Sequence, residues 1–162
     1  MNLHRMLAAR AAEGRPLRVG LIGAGKFGSM YLAQAKHTPG VHVVAVADLA
    51  PDRAKGALAR TGWPAERFSA RSLAAAATSG GTCVIDDAHA LIAAPEIEIV
   101  IDATGNPAAG IAHVLACCRE GKHVVMVNVE ADALAGPLLA RRAREAGIVY
   151  SLAYGEIGRA HV

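Results

Sequence analysis

The 162-residue sequence predicts an α/β fold, a doubly wound parallel sheet with helices on both faces, and three observations predict it. Short apolar runs alternate with helix-periodic segments throughout, the order of crossover units from which parallel sheets are built. The runs are continuously apolar, as strands buried on both faces must be. Hydrophobic residues make up 53% of the chain and aromatic ones only 4%, so the core is assembled from Ala, Val, Leu and Ile. The length suits one domain with a properly buried core.

Residues 2–13 read as a short amphipathic helix, with Leu3, Met6, Leu7 and Ala11 near one face, broken by Gly14, Arg15 and Pro16. Residues 17–22 form a β-rich run leading into glycines, and residues 27–36 a helix ending near His37, Pro39 and Gly40. A second strand, 41–47, stops at Asp48; a helix over 54–60 and a loop through Trp63 and Pro64 follow. Residues 72–78 predict a short helix, 82–85 a brief strand, 87–93 a helix with Asp86-Asp87 at its cap, and 97–102 a buried strand. The helix over 107–119 opens on Pro107, where a missing N–H costs nothing, and Gly121 ends it. A strand over 123–127, a basic helix over 136–146 and a last strand over 148–153 complete the series.

Composition excludes several classes. The net charge is +3, but the arginines are scattered and only Arg141, Arg142 and Arg144 cluster. Without a basic stripe or stacking aromatics, nucleic acid is not expected as a partner. No apolar stretch is long enough for a membrane span or a signal peptide. Cys83, Cys117 and Cys118 make no CxxC pair, which points to reduced thiols and a cytoplasmic protein. The helical Cys117 and Cys118 read as small buried hydrophobes.

The strongest motif is Gly23-Ala24-Gly25-Lys26-Phe27-Gly28. A GxGxxG alone is weak, but a strand precedes this one, a helix follows it and an acid closes the next strand. That context is the fingerprint of a Rossmann dinucleotide-binding domain. Gly23 serves the tight turn, Gly25 lets a pyrophosphate approach the backbone, and Gly28 lets the helix pack closely. The pyrophosphate then rests on a helix N-terminus, where free N–H groups favour negative charge. Asp48, twenty positions after Gly28, is placed to bind the adenosine ribose. Alone it favours NAD, whereas Arg53 and Lys26 are suited to a 2′-phosphate, so NAD against NADP stays open.

Asp102-Ala103-Thr104-Gly105-Asn106-Pro107 forms a second strand-to-helix turn on the same sheet edge. There Thr104 and Asn106 offer hydrogen bonds, and Ala103 and Gly105 close approach; helix capping explains the two polar side chains equally well. Asn128-Val129-Glu130 follows the fifth strand. Asn128 faces the cofactor edge, and Glu130 is either a nicotinamide or substrate contact or a first-turn acid. His37, His42, His89, His113 and His123 lack metal-ligand spacing and read as surface or strand-end residues. No metal site is expected, and no catalytic residue is assigned.

The stretches 18–28, 101–105 and Met126-Val127-Asn128 with Glu130-Ala131-Asp132 resemble the N-terminal part of a bacterial family related to homoserine dehydrogenase. In that family a NAD(P)-binding domain precedes a catalytic domain and often a C-terminal SAF domain. One branch resembles a deoxyxylulose-phosphate reductoisomerase that uses NADPH. The resemblance implies an oxidoreductase moving hydride to or from a small carbonyl or hydroxyl substrate, with its catalytic groups in the following domain. Homoserine dehydrogenases carry Asn-Lys after the fifth strand; here Val129 takes the lysine's place and leaves the substrate open.

Residues 1–155 are expected to be the binding domain, with 1–14 as its leading helix. Glu156-Ile157-Gly158-Arg159-Ala160-His161-Val162 matches the in-frame translation of a sequencing adapter, GAG ATC GGA AGA GCA CAC GTC. The expectation is therefore a truncated frame with a non-native tail, its catalytic and SAF domains absent and the fragment inactive. A homo-oligomeric full-length protein is compatible with the sequence. Two rivals are a non-catalytic dinucleotide-binding redox sensor and an S-adenosylmethionine-dependent methyltransferase. The first lacks a partner-binding element, and the second usually has a different glycine spacing.

Overall fold

A computed structural model describes residues 2–153; the adapter-like tail and the preceding Tyr154-Gly155 lie outside the described residues. Six strands, β1 (Leu17–Ile22), β2 (Val41–Ala47), β3 (Cys83–Ile85), β4 (Ile99–Asp102), β5 (His123–Met126) and β6 (Tyr150–Leu152), form one sheet in the order β3-β2-β1-β4-β5-β6. All five pairings are parallel. The order reverses direction between β1 and β4, and in such sheets the crevice beyond the carboxyl ends at that point is where ligands bind.

The helices are α1 (Leu3–Ala12), α2 (Lys26–Ala35), α3 (Pro51–Arg60), α4 (Leu73–Ser79), α5 (Ala88–Ala93), α6 (Pro107–Glu120) and α7 (Val129–Glu145). Alternate strand residues feed two separate cores. Val19, Leu21, Val43, Val46 and Ile101 pack with Leu32 of α2 and Ala57 and Leu58 of α3. Ile22, Val44, Val100, Val124 and Met126 pack with residues of α4 to α7. Leu21 has no exposed surface, so truncating it to Ala would cost about 2–5 kcal/mol. Trp63 fills the α2–α3 side, and its indole N–H donates to the carbonyl of Leu32 at 3.0 Å. Cys117 is fully buried in α6, and burial pushes its thiol up to about 12.

Most elements fall where the sequence places them, and the departures have physical causes. Helix α3 starts three residues earlier than expected, on Pro51, whose fixed φ suits a first helical position. A 3-10 turn, Ala65–Phe68, occupies part of the loop after Pro64. The largest difference is α7, which begins at Val129 rather than 136 and carries Pro137 inside it. Asn128 caps it by accepting from the Ala131 amide, and Glu130 and Asp132 sit in its positive first turn. Those start signals carry the helix through Gly136 and Pro137.

The apolar stripe expected on α1 is not buried: Leu3 is 63% and Met6 54% exposed. The helix leans instead on the turn before β2. Gly40 has φ +78°, and a Cβ there would stand 2.1 Å from the carbonyl oxygen of Leu7. Gly40→Ala should destabilise the chain by about 2 kcal/mol, the cost of a left-handed conformation in an L-residue. In urea unfolding the midpoint falls accordingly, and amide exchange accelerates first in α1 while β1 and β2 stay protected.

Candidate functional site

The glycine loop, the β2 terminus and the β4–α6 turn meet around a cavity of about 340 Å³ at the carboxyl edge of the sheet. Its lining includes Gly23, Gly25, Asp48, Arg53, Ala103, Thr104 and Asn106. Leu49, Asp86, Ala88 and His113 join them, although the sequence read Asp86 as part of a helix cap and His113 as a surface or strand-end residue. Ala24, Lys26, Phe27, Gly28, Gly105, Asn128 and Glu130 are not part of the lining. Of these seven, Ala24, Gly28 and Asn128 are buried behind the wall, Phe27 is half-buried, and Lys26, Gly105 and Glu130 are exposed.

The glycines divide the work by space. Gly23 has φ +95°, and a Cβ on it would lie 2.7 Å from the carbonyl oxygen of Ala103, so the two turns press together there. A Cβ on Gly28 would meet the carbonyl of Gly23 at 2.2 Å; its tight packing is therefore against the loop itself. Gly25 has open space where its Cβ would stand. It also begins α2 without any side-chain cap, whereas α1, α4, α5, α6 and α7 are each capped by Asn2, Ser72, Asp87, Asn106 and Asn128. Helix α3, which starts after Ala50, likewise has no side-chain cap, but α2 is the one whose start opens at the glycine loop.

Asp48 is 4% exposed and holds the loop from the neighbouring strand. Its Oδ2 accepts from the Ala24 amide at 2.8 Å, and its Oδ1 from the Ala50 amide at 2.9 Å. One terminal nitrogen of Arg53 donates to both oxygens, at 2.7 and 3.0 Å. Burial pushes the Asp48 carboxyl up, but these donors outweigh it and hold it below the usual carboxylate range.

The second turn is organised by Asp102, which has no exposed surface. Its Oδ1 accepts from the backbone amide of Thr104 at 3.1 Å and the Thr104 hydroxyl at 2.9 Å. Its Oδ2 lies 2.6 Å from Nδ1 of His113 in α6. Asn128 reaches across from α7, donating to the Thr104 hydroxyl at 3.1 Å and the Asn106 carbonyl at 2.7 Å. Asn106 caps α6 through the Ala109 amide, as the capping alternative had it. His113 is not the surface or strand-end residue the sequence suggested: it is 8% exposed, and Asp102 is its reason for being inside. A histidine seven residues into a helix carries no periodic signal that distinguishes a buried partner from a solvated one. Glu130 is exposed in the first turn of α7. Asp132, two residues on, accepts from the Tyr150 hydroxyl at 2.7 Å. No group of residues suited to holding a metal ion is present among the described residues. None of the described helices is long and apolar enough to cross a membrane.

This strand order with this loop defines a Rossmann-type dinucleotide-binding domain. The chain belongs to the Gfo/Idh/MocA oxidoreductase family with NAD-binding Rossmann fold, which it matches over residues 17–126. Similar solved structures include a homoserine dehydrogenase from Thiobacillus denitrificans, at 22% identity and TM-score 0.67, covering 85% of this chain and 29% of that one. Another is myo-inositol dehydrogenase from Lactobacillus casei in complex with NAD(H) and myo-inositol, at 20% identity and TM-score 0.66, covering 85% and 36%. An NAD binding oxidoreductase from Klebsiella pneumoniae is 22% identical with TM-score 0.62, covering 86% and 34%. At these identities the likeness is one of fold, and the chain spans about a third of the length of each. No curated protein matches the sequence significantly.

Acid should weaken the domain through these carboxylates. Burial raises Asp102 as well, yet His113 and Thr104 bring it below the ordinary range. A carboxylate whose folded pKa is depressed contributes stability that is complete above the unfolded value of about 3.9 and is lost as pH falls through the folded one. Urea midpoints should therefore hold from pH 7 to about 5 and drop below about 4. Asp102→Asn should flatten that acid loss, while its amide oxygen still accepts from Thr104.

Proposed function

We propose that residues 1–155 are the cofactor-binding domain of a NAD(P)-dependent oxidoreductase acting on a small carbonyl or hydroxyl compound. The uncapped N-terminus of α2, opening into the same cavity as the Asp48–Arg53 pair, carries this reading. The amides around Gly25, Lys26, Phe27 and Gly28 would hold the pyrophosphate, with Ala24 anchored to Asp48 behind them. Thr104, Gly105 and Asn106 would border the dinucleotide, Asn128 would brace them, and Glu130 would contact nicotinamide or substrate. The bound nicotinamide supplies the hydride transfer. Substrate binding and proton transfer fall to residues outside 1–155, in keeping with the greater length of the similar structures. Val129 in place of a lysine argues against homoserine as the substrate and leaves the substrate open.

Between the two cofactors the geometry favours NADP. Every hydrogen bond in which Asp48 takes part already engages Arg53, Ala24 or Ala50, so an incoming ribose meets a neutralised carboxylate. The Arg53 side chain is 59% exposed above it, with donors to spare for a phosphate.

Fluorescence titration of NADPH and NADH tests both points. The wild-type chain should bind NADPH more tightly. Arg53→Ala should weaken NADPH by about tenfold or more, the equivalent of one charge-assisted hydrogen bond of about 1.5–3 kcal/mol, and NADH by much less. Equal losses, or a preference for NADH, would remove Arg53 from the specificity role. Gly25→Val should abolish binding of both by filling the open space, with thermal unfolding unchanged.

A further inference from the structure

The cavity lining contains one buried titratable side chain that cofactor binding as described does not use. His113 stands two helical turns into α6, and its Nδ1 is bonded to Asp102, which sits at the end of the central strand β4. From Asp102 the connection runs outward. The carboxylate takes both the amide and the hydroxyl of Thr104. The residue before Thr104, Ala103, donates its amide to the Ile22 carbonyl at 2.8 Å and abuts Gly23, the first glycine of the loop. The position of the β4–α6 turn against the glycine loop is thus set by a carboxylate, and one of that carboxylate's two oxygens is held by the histidine alone. The ring also stands edge to face with His89, at 5.6 Å between centroids, and Asp102 is its one hydrogen-bonding partner among the described residues.

We propose that His113 is a positioning residue of the dinucleotide site: through Asp102 it fixes the 103–106 turn against the glycine loop. This deepens the reading of a dinucleotide site and rests on it. The imidazole needs no proton of its own to transfer; it needs a donor at the δ position, in either the neutral δ tautomer or the imidazolium. Without that donor, Asp102 has a free oxygen in an apolar strand end. The carboxylate then rotates toward water, releasing the Thr104 amide and loosening the wall of the cavity.

The requirement for a δ donor makes two substitutions informative on the full 162-residue chain. His113→Phe keeps a ring of similar size and removes the donor. His113→Asn places an amide nitrogen where Nδ1 stood. Amide exchange is measured without ligand, and NADPH affinity by fluorescence titration. The expected result for His113→Phe is at least tenfold faster exchange at the Thr104 amide and at least tenfold weaker NADPH binding. His113→Asn should restore both to within about threefold of wild type, a rescue that mere filling of the helix–sheet gap would not produce. Unchanged Thr104 exchange in His113→Phe, or a His113→Asn chain as impaired as the phenylalanine one, overturns the proposal. If His113→Phe does not fold, His113→Leu, which also removes the donor and keeps the space filled, carries the same expectation. A wild-type chain that binds neither NADPH nor NADH overturns the dinucleotide reading, whereas the Thr104 amide still decides whether His113 positions the turn.

Discussion

A carboxylate at the centre of a parallel sheet is expensive unless every lone pair it buries finds a donor, and removing one partner of such a group costs about 3–5 kcal/mol. Asp102 is that group here, with no exposed surface at the end of β4. Its three donors come from His113, the Thr104 amide and the Thr104 hydroxyl, and Asn128 then clasps Thr104 from the next crossover. Satisfying one charge therefore fixes the start of α6, the turn before it and the approach of α7. The cavity wall on that side is a by-product of electrostatic necessity. On the opposite side Asp48 plays the same part for the glycine loop.

The two aspartates solve the same problem with different partners. Asp48 uses an arginine that remains largely in solvent, so its charge is compensated by a group a ligand can recruit. Asp102 uses a histidine held between α6 and the sheet, almost wholly buried at the cavity wall, whose ring supports the turn. Recognition and rigidity are in this way assigned to different ends of one crevice.

The elements legible in the sequence were those whose signal is local. β1 and β2 coincide with their apolar runs to the residue, and Gly121 ends α6 in a left-handed conformation as a terminal glycine should. The glycine loop, Asp48 and Arg53 were legible because turn chemistry and strand-end position fix them within a few residues. What stayed hidden depends on pairs distant in sequence. Nothing near His113 announces Asp102 eleven positions earlier, since a helix histidine buried by a hydrogen bond to a carboxylate has the same sequence neighbours as one in water. The start of α7 was misplaced because the cap that sets it is a single Asn128 side chain serving two crossovers. The stripe on α1 was read as a packing face, but that helix docks by its backbone on Gly40.

The burial of Cys117 gives the domain an internal gauge of its own opening. The thiol lies one turn beyond His113 on the same helix, with no exposed surface and its thiolate disfavoured by burial. Alkylating reagents react with the thiolate, so this sulfur is silent for as long as α6 stays seated and becomes reactive only when the helix lifts. Its labelling rate therefore counts excursions of the element that carries the buried histidine, using a native atom and no introduced probe.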